Sequence, residues 1–154
     1  MSAVRQKNTD LERSVRSMLH RLGFRFRITR KDLPGTPDIV LPKWRVAIFV
    51  NGCFWHAHDC HFFKVPATRS DWWEAKLKRN AERDRQKIEE LSREGWRTVV
   101  VWKCALIGKS HLSRSELEIS IRSLIARPAW LSEIRGKMSS EGNEVKTSGF
   151  RANA

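Results

Sequence analysis

From Leu11 onward, apolar residues recur at helical spacing (Leu11, Val15, Met18, Leu19, Leu22), and Gly23 stops the pattern as a C-terminal cap would. A first helix ending near residue 22 is therefore predicted. The segment FRFRI at 24–28 alternates apolar and basic residues as a half-buried strand does, and TRKDLPGTP then breaks the chain with two prolines and a glycine. The next strand is predicted to begin near Asp38. The runs DIVL, RVAIFV and RTVVVW are continuously apolar over strand length, which is the habit of strands covered on both faces. Between the last two lies SDWWEAKLKRNAERDRQKIEELSREG, where Trp73, Leu77, Ala81, Ile88 and Leu91 form one stripe, Ser70 is placed as an N-cap and Gly95 falls just past the end. A last amphipathic helix is predicted over about 115–125. The pattern thus predicts an α/β fold: a central mixed β-sheet flanked by helices, in one domain over 1–130. The remainder, 131–154, is expected to be a polar, flexible tail, because SSEGNEVKTSGFRANA shows little pattern.

Length and charge bound what such a fold does. A chain of 154 residues with 40% apolar content builds one core, so a second catalytic domain does not fit. The 30 Lys and Arg against 17 Asp and Glu leave a net charge of +13, which points to a polyanionic partner, nucleic acid or an anionic membrane face. No uncharged apolar stretch approaches the roughly 20 residues of a spanning helix, and MSAVRQKNTDLERSV lacks a signal-peptide core, so a cytoplasmic location is expected. Three cysteines without an export signal argue against a disulfide framework, leaving metal binding or plain burial.

The loop NGCFWHAHDC at 51–60 concentrates the candidate chemistry. Cys53, His58 and Cys60 offer two thiolates and an imidazole, and Cys104, at the end of RTVVVW, joins them if the two strands are neighbours, completing a set of three cysteines and one histidine of the kind structural zinc prefers. His61 and Asp59 compete with His58 for the ligand role, and the bland alternative is ordinary buried cysteines beside a surface histidine. His56 is left over: a spare ligand, a general base or neither. On an extended or tightly turned segment it can face the same way as His58, two residues on. Asp38, opening a strand after proline, is a candidate magnesium ligand of the kind nucleases hold at a sheet edge, against the alternative of a simple turn residue. The acid and lysine that usually follow on the second strand are missing from AIFVNG.

The stretches KNT…E at the N-terminus, LPGTPDIVLPKWRVAIFVNGCFWHAHDCHFFKVPATR, WEAKLKRNAERDR and GWRTVVVWKCAL together resemble the very short patch repair endonucleases, which nick DNA beside a T·G mismatch left by deamination of 5-methylcytosine. The resemblance covers nearly the whole chain to about residue 108. It implies a restriction-endonuclease-like core with structural Zn2+ at Cys53, His58, Cys60 and Cys104. It implies catalytic Mg2+ at Asp38 and at a backbone carbonyl of Val50, with His56 as base and Glu12 nearby. Phe54, Trp55 and Trp73 match an aromatic wedge driven into the duplex, and Lys76 and Asn80 match residues that read the mispair. The implied reaction is a nick 5′ of the mismatched T, made by a monomer on double-stranded DNA, with other mismatch-repair proteins as partners.

Elementary physics supports such a wedge, since a wobble pair is weakly stacked and inserted rings recover about 1 to 3 kcal/mol per base. Trp44, Trp96 and Trp102, on strands, are expected in the core instead. The basic face of the 71–94 helix, Lys76, Arg79, Arg83 and Lys87, is placed against phosphates. Where some members carry a histidine before the Gly-Cys pair, this chain has Asn51, and the short stretch before helix one suggests a differently made minor-groove grip. The rival classes are a same-fold nickase or restriction-like nuclease of other specificity, and a non-catalytic zinc-stabilised DNA-binding module.

Overall fold

The computed structural model describes residues 9–138. Thr9 opens helix α1 (Asp10–Arg21), its side chain accepting the Glu12 N–H at 3.2 Å, and Gly23 turns the chain out of it at φ +86°. Five strands follow in the spatial order β1-β2-β3-β4-β5: β1 (Arg27–Ile28), β2 (Ile39–Leu41), β3 (Val46–Asn51), β4 (Arg97–Trp102) and β5 (Leu131–Ile134). β1, β2 and β3 run antiparallel, whereas β3, β4 and β5 are parallel. The parallel pairs need crossovers, supplied by α2 (Ser70–Arg93) and by α3 (Lys103–Leu106) with α4 (Arg114–Ala126). The expected mixed sheet flanked by helices is what forms.

Burial explains why the strand sequences are apolar throughout. Ile39, Leu41, Val46, Ile48, Val99 and Val101 face one side, packed with Val15, Met18 and Leu19 of α1 and Ile121, Leu124 and Ile125 of α4. Their neighbours Val40, Ala47 and Val100 face the other side, toward Ile88 and Leu91 of α2. With both faces covered, alternation disappears from the sequence.

Several elements depart from the sequence pattern for identifiable reasons. FRFRI forms only a two-residue strand, because its partner β2 ends where Pro42 begins a 3-10 turn through Trp44; Phe24 and Phe26 still pack on the core while Arg25 and Arg27 stay exposed. Ser70 does not cap α2: it is the first helical residue, after Arg69 in the left-handed region. Trp96 and Trp102 are buried as expected, whereas Trp44, carried out on the 3-10 turn, is 38% exposed. The boundary expected at residue 130 falls short of the sheet. Leu131–Ile134 pairs in parallel with β4, and Leu131, Ser132 and Ile134 are buried; four residues with a polar centre make too brief a pattern to register. The stretch 139–154 of the expected tail lies outside the described residues.

Candidate active site and metal centre

β3 and β4 are adjacent and in register through Asn51↔Trp102, so the loop after β3 and the turn after β4 leave the same end of the sheet. That juxtaposition brings Cys104 to the loop. The ligand atoms of Cys53, His58, Cys60 and Cys104 all lie within 4.8 Å of one another, and this is the one such His, Cys or acid cluster found among the described residues. Cys53 and Cys104 are buried. A tetrahedral ion with thiolate bonds near 2.3 Å needs donors at about this separation, so a soft set of three sulfurs and one imidazole nitrogen fits zinc. The polypeptide prepares the site further. His58 Nδ1 is 3.7 Å from the Cys104 sulfur, the imidazole stacks on Trp102 with ring centroids 4.0 Å apart, and the Gly136 N–H donates to Cys104 Sγ at 3.3 Å. The hydrogen bond from Cys53, then those from His58 and Gly136, hold the Cys104 thiol well below the usual thiol range in spite of its burial. Cys53 is pushed the other way by its bond to Cys104 and by burial. The competing candidates are elsewhere: His61 Nδ1 meets Ser110 Oγ at 3.2 Å, and exposed Asp59 offers its carbonyl to Arg135 at 2.6 Å.

His56 and His58 both lie against Trp102, with ring centroids 6.2 and 4.0 Å away, but they take different polar partners. Ala57 between them is left-handed at φ +53°, its N–H returning to the Phe54 carbonyl at 3.2 Å, so the segment is tightly turned. His58 joins the thiols, while His56 Nδ1 pairs with Asp84 Oδ2 on α2. A neutral imidazole donating from Nδ1 presents its Nε2 lone pair outward, the tautomer a general base requires. Asp84 escapes sequence reasoning because it lies 28 residues from its partner, in a helix rich in charge.

Asp38, just ahead of β2, accepts the Val50 N–H on Oδ2 at 2.8 Å. The N–H and C=O of a strand residue point to the same edge, so the Val50 carbonyl is on the Asp38 side of β3. This offers a carboxylate and a carbonyl, the hard oxygen donors that suit Mg2+. Glu12, on α1, is one of three buried polar residues among those described, at 7% exposure. Asn51 closes β3 beside Val50, half-buried.

In the same loop and on α2, Phe54, Trp55 and Trp73 cluster with ring centroids 5.1 to 6.0 Å apart. Phe63 (6.5 Å from Phe54) and Trp72 (4.9 Å from Trp73) extend the cluster, and neither stands out in the sequence. Lys76 lies 5.2 Å over the Trp72 ring, Asn80 Nδ2 donates to the Trp55 carbonyl at 3.2 Å, and Arg83 pairs with Asn80 Oδ1. Lys87 pairs with Glu90 at 3.5 Å within α2.

Residues 1–62 match the family model described as DNA mismatch endonuclease Vsr. The chain is 54% identical over 106 residues to the Type II nicking enzyme V.XorIIP of Xanthomonas oryzae, covering 69% of this chain and 78% of that one. It is 44% identical over 117 residues to the DNA mismatch endonuclease Vsr of Escherichia coli, 76% and 75% of the two chains. This chain belongs to the Vsr family of DNA endonucleases. The Type II nicking enzyme V.NmeAIP of Neisseria meningitidis is 37% identical over 124 residues, 80% and 88% of the two chains. Family membership makes the protein a DNA endonuclease and displaces the non-catalytic binding module. No helix among the described residues is long and apolar enough to cross a membrane.

Proposed function

We propose that the protein nicks one strand of double-stranded DNA 5′ of the T in a T·G mismatch, using Mg2+ for catalysis and Zn2+ for structure, on a restriction-endonuclease-like core. The observation that carries this reading is the placement of His56. Asp84 on α2 holds Nδ1 of its ring, and in sequence His56 directly follows Phe54 and Trp55 in the loop that leaves β3, so one short segment would join hydrolysis to duplex distortion. Asp38 and the Val50 carbonyl would hold Mg2+, which supplies charge stabilisation at the scissile phosphate. Nε2 of His56 takes a proton from water as the water oxygen bonds to phosphorus; the bond from phosphorus to the 3′ oxygen breaks and that oxygen takes a proton from solvent, leaving 5′-phosphate and 3′-hydroxyl ends. Asn51 supplies a neutral amide beside the phosphate, and Glu12 a second carboxylate from α1. Cys53, His58, Cys60 and Cys104 would hold Zn2+, cross-linking a loop with little core of its own. Phe54, Trp55 and Trp73 enter the duplex where the wobble pair stacks least, and Lys76 and Asn80 stand beside them to read the mispair. A monomer acting in the bacterial cytoplasm, in concert with mismatch-repair proteins, completes the proposal.

A nicking assay with Mg2+ on duplexes identical except for T·G, C·G or T·A at one position, in several flanking contexts, tests it. Wild type nicks one strand of the T·G duplex, and His56→Ala loses the activity. The names of V.XorIIP and V.NmeAIP favour a second reading, nicking governed by a recognition sequence. Equal cutting of matched and mismatched duplexes in one context would establish that reading instead.

A further inference from the structure

The mechanism leaves unused a set of arginines at the free edge of the sheet. β1 is an edge strand, and beside α1 it forms an open groove of about 450 Å³ lined by Arg13, Arg16, Phe26, Arg27 and Ile28. Arg13 and Arg16 are three apart on α1 and so share a face. Phe26 packs against the main core, and Ile28, two residues on, shares its side of the strand at 43% exposure. Cationic forks around an apolar floor suit a ligand that alternates charged groups with sugar, as a phosphodiester backbone does. The ion pair of Arg13 with Asp10, 3.5 Å apart with both side chains in solvent, is too weak to compete strongly with a phosphate.

The register fixes where this groove lies. Ile28 pairs with Ile39, and the Thr29 N–H reaches the Asp38 carbonyl at 3.4 Å, so the groove borders the end of β2 that carries Asp38. The aromatic cluster belongs to the loop beyond β3 and to α2, on the far side of Asp38 in the strand order. A duplex with its mispair at the cluster and its scissile phosphate at Asp38 continues, in one direction, over β1.

We infer that the groove between α1 and β1 is a phosphate clamp for substrate DNA, in which Arg13, Arg16 and Arg27 grip the backbone on the side of the scissile phosphate away from the aromatic cluster. The inference rests on the proposed role of Asp38. Binding of labelled duplex by the full chain, with Ca2+ replacing Mg2+, is measured from roughly 50 to 200 mM salt. Arg13→Gln/Arg27→Gln is expected to bind on the order of tenfold more weakly, with a slope of log affinity against log salt shallower by about 2. Arg13→Lys/Arg27→Lys keeps the slope, and Arg122→Gln, removing an exposed charge on α4, changes it by less than half as much. Replacing backbone phosphates on the groove side with uncharged methylphosphonates weakens wild-type binding but not that of the Gln pair. Equal slopes for the Gln pair and Arg122→Gln overturn the clamp, as do additive effects of protein and phosphate substitutions; the groove would then face another anionic surface, such as an acidic protein segment. Because the slope is measured on matched as well as T·G duplexes, it reports on the clamp even if mismatch-dependent nicking fails.

Discussion

In the proposed mechanism the part of Asp84 is to hold Nδ1 of His56 and so present Nε2. Asp84→Asn keeps the shape and loses the charge that fixes the tautomer, so single-turnover nicking should fall on the order of 10²-fold or more while bound zinc is unchanged. A rate within threefold of wild type, at normal zinc content, would remove Asp84 from the mechanism. Gly136 illustrates a different constraint at the same scale. A Cβ there would collide with the Cys104 carbonyl oxygen and sit 2.6 Å from Ser110 Oγ, and the Gly136 N–H is one of the bonds to Cys104 sulfur. Gly136→Ala therefore displaces the turn that carries Cys104, and, if the site holds zinc as proposed, the purified variant should carry less than half as much as wild type by metal analysis. The signal for either residue is faint in sequence: an aspartate in a charged helix and a glycine in a polar stretch are both ordinary until their partners, 28 and 32 residues away, are known.

At the scale of elements, α4 is held at its start by a reciprocal cap, Ser113 Oγ accepting the Glu116 N–H at 3.1 Å and Glu116 Oε1 accepting the Ser113 N–H at 3.3 Å. Lys137, just past β5, adds an ion pair to Glu116 at 3.0 Å. Ser113→Ala should cost about 1 kcal/mol in denaturant unfolding at neutral pH. Hydrogen bonds, first from Lys137 and then from Ser113, hold the Glu116 carboxyl at about 2, below its ordinary value of 4.5. A depressed folded-state value means the stabilisation is fully present above 4.5 and is lost as pH falls from there toward 2. Glu116→Gln should accordingly flatten the acid limb of the stability curve in that window and leave its shape at neutral pH unaltered. A parallel acid limb in the variant would show that other carboxylates govern it. The cap is legible only in part, since apolar periodicity starts the helix near residue 115 and the Ser-x-x-Glu signal begins just ahead of it.

For the whole molecule, one apolar cluster on one face of the sheet and two on the other carry the fold, while the loop 52–69 hangs from the sheet's end with three of the four candidate ligands. Stripping the proposed zinc with a strong chelator should therefore lower the melting temperature by about 10 °C or more, because binding free energy at such a site is folding free energy. The same treatment should abolish nicking even when Mg2+ is restored, since His56, Phe54 and Trp55 belong to that loop. A melting temperature unchanged after verified metal loss would mean that the core alone holds the loop.

By itself the sequence determined what depends on near neighbours and on composition: the periodicity of α1 and α2, strands apolar on both faces, the glycine stops, the positive charge, and three of the four ligands within eight residues. Tertiary structure decided what depends on which distant segments meet. The parallel register of β3 and β4 brought Cys104 to the loop, His56 and His58 on either side of the left-handed Ala57 took different partners, α2 supplied Asp84, and β5 found a place at the sheet edge. Periodicity reports the face a residue buries, which is a local property; a partner across the sheet is chosen by packing, and leaves no comparable mark on the chain.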